Sequence, residues 1–92
     1  MPNAALLARL LDIYPDLGLT HGETVCLMHL LALAEGGQVS ASVADLARRM
    51  AAHPSSVKRL LARLKDHGVI ERTALGALLF TDTLTERLLW GQ

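Results

Sequence analysis

Cysteine and long apolar runs are both scarce in this 92-residue sequence. The single cysteine, Cys26, excludes an intramolecular disulfide and fits a reducing compartment, so we expect a cytoplasmic protein. No apolar run approaches the roughly 18 residues that a membrane-spanning helix needs. The chain also does not open on a charged segment followed by an apolar one, so the sequence predicts neither a signal peptide nor a membrane partner.

Residues that carry catalysis or bind metals are not assembled anywhere in the sequence. No nucleophile is paired with a base, and no glycine-rich phosphate loop is present. Cys26 and His29 lie close together on one predicted helix, with His21 on the same segment, but zinc needs three or four converging ligands. We therefore interpret Cys26 as a buried thiol and predict no enzymatic activity, no catalytic residue, no metal site and no cofactor.

Net charge is absent as well, but the charges are unevenly distributed. The chain carries nine basic and nine acidic residues. Residues 43–67 hold six of the basic and two of the acidic ones, so this segment has a net charge of +4 and the remainder −4. A local basic patch on a neutral protein favours weak or partner-assisted DNA binding, because affinity for phosphates grows with the number of cations presented.

The clearest pattern lies in residues 42–73, which predict a helix, a tight turn, a second helix and a strand. Ser42 and Asp45 form a capping box where the first helix begins, and Pro54 suits the first turn of the second helix. The second helix then runs to about His67, and Gly68 ends it in the left-handed conformation. Two short helices joined by such a turn, at about 42–67, are a helix-turn-helix, whose second helix can enter a DNA major groove.

The outward face of the second helix decides whether it can touch DNA. Its apolar residues follow one stripe, and the opposite face is basic apart from Asp66. The alternative interpretation is an ordinary solvated surface of lysines and arginines. Together with the arginines of the first helix, the DNA-binding candidates are Arg48, Arg49, Ser55, Ser56, Lys58, Arg59 and Arg63.

A hairpin is predicted to follow the helix-turn-helix. Residues 69–73 and 77–81 are predicted strands, separated by Ala74, Leu75 and Gly76. A helix-turn-helix followed by a wing hairpin, here at about 69–81, is a winged helix. The tip of this wing has no Lys or Arg, and only Arg72 stands near it. An apolar tip is better placed in a protein interface than in water.

The central helix of the predicted fold follows a second capping box, formed by Thr20 and Glu23. Its apolar residues spread around the whole circumference, so we expect it to be buried on all sides and to run to about Glu35. Gly36 and Gly37 end it, and residues 38–40 supply one short strand.

The two terminal helices carry more apolar surface than one neighbour covers. The first begins after Asn3, its predicted N-cap, and runs to about Ile13; the last opens on a capping box of Thr83 and Glu86. Such an apolar arc is either the core-facing side of a helix in a small protein or an interface, and we favour self-association into a dimer or larger homo-oligomer. The candidate residues for self-association are Leu6, Leu7, Leu10 and Leu11 of the first helix, Leu75 and Leu78 of the wing, and Trp90.

These elements together predict a mainly α (α+β) fold. It is a winged helix-turn-helix with an extra N-terminal helix and a short C-terminal helix. A chain of this length, about half apolar, is enough for one core, so we expect residues 1–92 to form a single domain.

Several stretches within this pattern match a known family. They are residues 17–19 followed by Glu23, the leucine-rich segment 26–33, DLARRM at 45–50, LLARL at 60–64 leading to Gly68, and the leucine-rich ending at 84–90. Their order resembles the N-terminal winged-helix domain of the bacterial primosomal replication-initiation family DnaD, over nearly the whole chain. The resemblance implies oligomerisation through the N-terminal helix and the wing, docking to initiator protein at the origin, and help in loading the replicative helicase. The family's second, DNA-binding helical domain is missing from this sequence, so the chain is either an excised domain or a short relative, and DNA remodelling is not carried over.

Two functions of different classes follow from this sequence. The leading hypothesis is a non-enzymatic module of DNA replication initiation, of the primosome or helicase-loading type, which self-associates, docks to replication-initiation proteins and binds DNA weakly. The alternative is a small dimeric winged-helix transcriptional regulator, resembling the MarR repressors, whose second helix reads an operator. A third reading is a protein-interaction adaptor whose basic helix never meets DNA.

Overall fold

A computed structural model describes residues 3–74 and 76–90, and for Asn3, Leu89 and Trp90 it describes the backbone alone. Two predicted self-association positions, Leu75 and the side chain of Trp90, therefore lie outside the described residues. The described part forms five helices and three short strands, in the order α1 (Asn3–Ile13), α2 (His21–Leu33), β1 (Gln38–Val39), α3 (Val43–Met50), α4 (Pro54–Asp66), β2 (Ile70–Arg72), β3 (Leu78–Phe80) and α5 (Asp82–Trp90). This architecture confirms the predicted mainly α, winged-helix-like fold.

The helix-turn-helix forms where the sequence predicts it. Ser42 Oγ accepts a hydrogen bond from the Asp45 backbone N–H at 3.1 Å, and the Asp45 carboxylate accepts one from the Ser42 N–H at 3.4 Å. At the other end of the unit Gly68 has a φ of +74°. The Gly68 and Val69 N–H groups donate to the carbonyls of Lys65 and Leu64, a Schellman motif that satisfies the last carbonyls of α4.

The two strands of the wing, β2 and β3, are joined by β1 in a three-stranded antiparallel sheet with strand order β1-β3-β2. The central strand β3 pairs Leu78 with Val39 of β1 and with Arg72 of β2. Both hairpin strands are shorter than predicted. The Thr81 backbone N–H donates to the Val69 carbonyl, while its hydroxyl donates to the Gly68 carbonyl and accepts from the Leu84 N–H, so Thr81 joins the end of the hairpin to the start of α5.

The core draws leucines from every helix. Among the fully buried side chains are Leu10 of α1, Leu30 of α2, Leu46 of α3, Leu64 of α4 and Leu84 of α5. Since α1 packs on α2 and α5, and α2 packs on α3 and α4, the central helix α2 positions the helix-turn-helix against the N-terminal helix.

The prediction for α2 is wrong in two respects. The helix ends at Leu33 rather than near Glu35, because Glu35 exchanges backbone hydrogen bonds with Gln38. It is also not buried on all sides, since Val25 is 45% exposed and Ala32 is exposed as well. One face of α2 therefore lies at the surface, although the helix is apolar around its whole circumference.

The predicted starts of the two terminal helices also need correction. Helix α5 begins at Asp82 and is capped by Thr81, whose Oγ1 accepts from the N–H of Leu84 at 3.3 Å, so the capping box of Thr83 and Glu86 does not form there. Helix α1 includes Asn3, which the sequence placed just outside it.

Candidate nucleic-acid and protein interfaces

The exposed face of α4 carries the main cluster of cations. Val57, Leu61 and Leu64 are buried against the core. Because these three share one side of the helix, the opposite side faces solvent, and there Lys58, Arg59 and Arg63 are all exposed. The structure thus brings three of the predicted DNA-binding residues together on one accessible surface, with Asp66 exposed at its end.

The serines at the start of α4 are less available. His53 caps the helix, and its Nδ1 accepts a hydrogen bond from the Ser55 N–H at 3.2 Å. Ser55 Oγ lies 2.8 Å from the same nitrogen, so its hydroxyl is engaged within the cap. Ser56 is half-buried. Of these two predicted DNA contacts, only Ser55 is exposed, and its hydroxyl is hydrogen-bonded to His53.

The two arginines of α3 are each engaged within the protein. Arg48 pairs with Asp45 one turn earlier, and hydrogen bonds from Ser42, with Arg48 beside it, hold the pKa of Asp45 below its usual range. Arg49 reaches across to α2, where its Nε donates to His29 Nδ1 at 3.1 Å. Sequence reasoning missed this contact because the partners are 20 positions apart.

The wing does not add a free cation to this surface. Arg72 is the one basic residue in positions 69–81. Its Nη1 donates to the Gly76 carbonyl at 3.0 Å, so the guanidinium is folded back onto the hairpin. Leu78, predicted as an interface residue, is buried in the central strand.

The candidate self-association residues on α1 divide into buried and exposed ones. Leu10 is 0% exposed and belongs to the core of the single chain. Leu6 and Leu7 are half-buried and pack against that core. Leu11 is 54% exposed. Among the described candidates, Leu11 is therefore the one that lies fully at the surface.

A contact that sequence reasoning missed holds α4 against α2. Glu23, only 6% exposed, closes the capping box of α2 by accepting from the Thr20 N–H at 3.1 Å. The same oxygen, Oε1, lies 3.1 Å from His67 Nε2, which donates to it from the C-terminal end of α4. The capping pattern pointed to Glu23, but no spacing rule links it to a histidine 44 positions away.

The remaining titratable groups do not form a reactive centre. Cys26 is buried as predicted, and burial raises the pKa of its thiol to about 11, so it is neutral at physiological pH. Within residues 3–74 and 76–90, no group of three or more His, Cys, Asp or Glu side chains is arranged to hold a metal ion. No helix in the described part of the chain is long and apolar enough to cross a membrane.

Comparison with known proteins agrees with the fold and with the sequence pattern. Residues 6–75, well over half of the chain, match the family described as the DnaD N-terminal domain. Comparison with curated proteins and with solved structures finds no match. The match spans α1, the helix-turn-helix and the start of the wing. The chain therefore belongs to the DnaD N-terminal domain family, a family of non-enzymatic domains with a role in DNA replication initiation.

Proposed function

We propose that this chain is a cytoplasmic docking module of DNA replication initiation, of the primosome or helicase-loading type, which self-associates and binds DNA only modestly. Membership of the DnaD N-terminal domain family supports a role in replication initiation. The observation that carries the proposal is the restricted basic surface: α4 exposes the four cations Lys58, Arg59, Arg63 and Lys65 beside the acidic Asp66, while Arg72 of the wing is bonded to its own hairpin. A small basic patch of this kind adds to DNA binding but is too small to hold the module on DNA by itself.

The number of available cations sets the expected strength of DNA binding. Each phosphate that a cation neutralises contributes about 0.9 to the slope of log affinity against log salt on duplex DNA. Four exposed cations on α4, Lys58, Arg59, Arg63 and Lys65, would give a slope of at most roughly −4, which corresponds to weak binding that salt readily abolishes. We expect protein partners to bring the module to the origin and α4 to hold it there.

The test is fluorescence anisotropy with a labelled random duplex at low and near-physiological salt. We expect weak binding at low salt with the shallow slope given above, and its loss in the double variant Arg59→Ala/Arg63→Ala. Arg72→Ala removes the same kind of charge from the wing and should leave the affinity within about twofold, because the Arg72 guanidinium is bonded to the Gly76 carbonyl and is not part of the basic surface of α4. Binding that persists in the double variant would contradict the assignment to α4.

The dimeric regulator makes a different prediction in the same experiment. A regulator would prefer an operator over random duplex and protect two half-sites about one helical turn apart, and Arg59→Ala alone would cost about 1 to 3 kcal/mol at one base position. Equal affinity for unrelated duplexes would favour the replication module.

A further inference from the structure

A groove lies on the side of α2 opposite its buried face. Its volume is about 240 Å³, and it lies between α1, α2 and α3. The lining residues are Leu7, Val25, Met28, His29, Ala32 and Arg49. Three elements thus meet around a surface depression that the fold leaves open.

The floor of the groove is apolar. Val25, Met28 and Ala32 of α2 follow the i, i+3, i+7 spacing that places side chains on one helix face. Val25 is 45% exposed. Among the described residues, Val25 and Leu11 are the two large apolar side chains that lie exposed. An apolar strip between two helices is the shape that accepts the apolar face of a third helix.

The rim of the groove offers hydrogen-bond donors. Arg49 Nε–H donates to His29 Nδ1, so that nitrogen is unprotonated and the ring proton of the neutral imidazole lies on Nε2. Burial and the nearby Arg49 charge lower the pKa of His29, which favours this neutral form. No carboxylate of the described residues forms an ion pair with Arg49. The rim therefore presents a charged guanidinium and an imidazole N–H, and the group that complements both is a carboxylate.

We propose that this groove binds an amphipathic helix of a partner protein, which lays its apolar stripe on Val25, Met28 and Ala32 and places a carboxylate against Arg49. A phosphate backbone would meet Arg49 but would leave the apolar floor uncovered, so nucleic acid fits the groove less well. A second copy of this chain, which exposes Val25 of α2 and Leu11 of α1, is the competing occupant, and dilution of the protein tests it. The inference rests on the proposed docking role and names the chemistry of the docked partner.

The test is an NMR titration of the isotope-labelled protein with three synthetic peptides of one design. Each peptide is a helix with leucines at i, i+3, i+4 and i+7, and the residue flanking this stripe is Glu, Gln or Lys. We expect the Glu peptide to shift the resonances of Val25, Met28 and Ala32 and to bind about 1.5-fold to fivefold more tightly than the Gln peptide, the range for an exposed charge pair. The Lys peptide should bind weakest.

Variants separate the two parts of the site. Arg49→Gln should abolish the preference for Glu over Gln while retaining the shifts at the apolar floor. Val25→Asp, a change at an exposed position, should abolish binding of all three peptides without loss of the folded spectrum. Lys65→Gln makes the same change of charge on α4, outside the groove, and should keep the preference.

Three results would overturn the proposal. They are no shift at the groove with the Glu peptide, equal binding of the Glu and Lys peptides, and shifts at the groove caused by dilution of the protein alone, which would assign it to a second copy. Perturbation of the groove by a short DNA duplex in place of the peptide would also overturn it. None of these results would alter the expected DNA binding through Arg59 and Arg63, so the two proposals fail separately.

Discussion

Glu23 shows how one buried carboxylate serves two elements. Its Oε1 accepts from the Thr20 N–H, which satisfies an orphan donor at the start of α2, and from His67 Nε2, which ties down the end of α4. Since Glu23 is 6% exposed, its removal would leave both donors without their acceptor. The orientation of the basic helix therefore depends on a residue outside the helix-turn-helix.

A double-mutant cycle with Glu23→Ala and His67→Ala should measure this connection. We expect the two losses in the free energy of unfolding to be non-additive by roughly 0.5–3 kcal/mol, because the residues are in direct contact. Urea denaturation of the four proteins gives the coupling. Additive losses would mean that Glu23 acts through the capping box alone.

His29 gives the stability of the protein a pH dependence. Burial first, and the Arg49 charge second, lower the pKa of His29 from its ordinary value of 6.5. The unfolded chain then binds the proton more tightly than the folded one, so this contribution to stability is complete above pH 6.5 and is lost as the pH falls through the lower folded value.

Replacement of His29 by Gln should therefore reduce the fall in the free energy of unfolding between roughly pH 7.5 and 5. Denaturant curves at several pH values measure the fall. Arg49→Gln removes the second cause and should give a slope smaller than that of the wild type. Parallel curves for the wild type and His29→Gln would show that His29 does not contribute.

At the scale of elements, the helices whose caps are local were predicted most closely. Helices α3 and α4 begin where Ser42 and Pro54 indicate, since a cap depends on residues within one turn. The start of α5 was wrong because Thr81 contacts the Gly68 carbonyl, 13 positions earlier, as well as capping the helix. Capping patterns alone do not tell which of two nearby threonines the tertiary structure selects.

The turn of the helix-turn-helix contains a residue in a costly conformation. Ala51 ends α3 with a φ of +53°, which costs an L-amino acid roughly 1–2 kcal/mol. Ala51→Gly should remove this strain and, after the entropy cost of glycine, stabilise the protein by about 0.5 kcal/mol or more. Ala62→Gly on the exposed face of α4 is the matched control and should destabilise by about 1 kcal/mol. Thermal or urea unfolding compares them, and a loss of stability in Ala51→Gly would refute the account of the turn.

At the scale of the whole molecule, adjacent leucines on α1 have opposite roles. Leu10 is 0% exposed and Leu11 is 54% exposed, although both belong to the same apolar run. The sequence predicted both as self-association residues. Packing of α1 against α2 and α5 places Leu10 in the core and leaves Leu11 at the surface.

This pair provides a direct test of self-association. Leu10→Ala should cost about 2–5 kcal/mol through the cavity it leaves, and Leu10→Asp should unfold the chain. Leu11→Asp should keep the helical circular dichroism spectrum and shift sedimentation toward the monomer. A folded Leu11→Asp variant with an unchanged oligomer would exclude the exposed face of α1 from self-association.

The sequence by itself determined the order of the elements, the helix-turn-helix, most of the caps and the basic stripe of α4. These features depend on residues within a turn of one another, so spacing and local hydrogen bonding specify them. Only the tertiary structure decided that Arg49 turns to His29, that His67 meets Glu23, and that one face of α2 stays open. Those contacts join residues 20 and 44 positions apart, and burial depends on which neighbours arrive, which is a property of the packed chain and not of any local pattern.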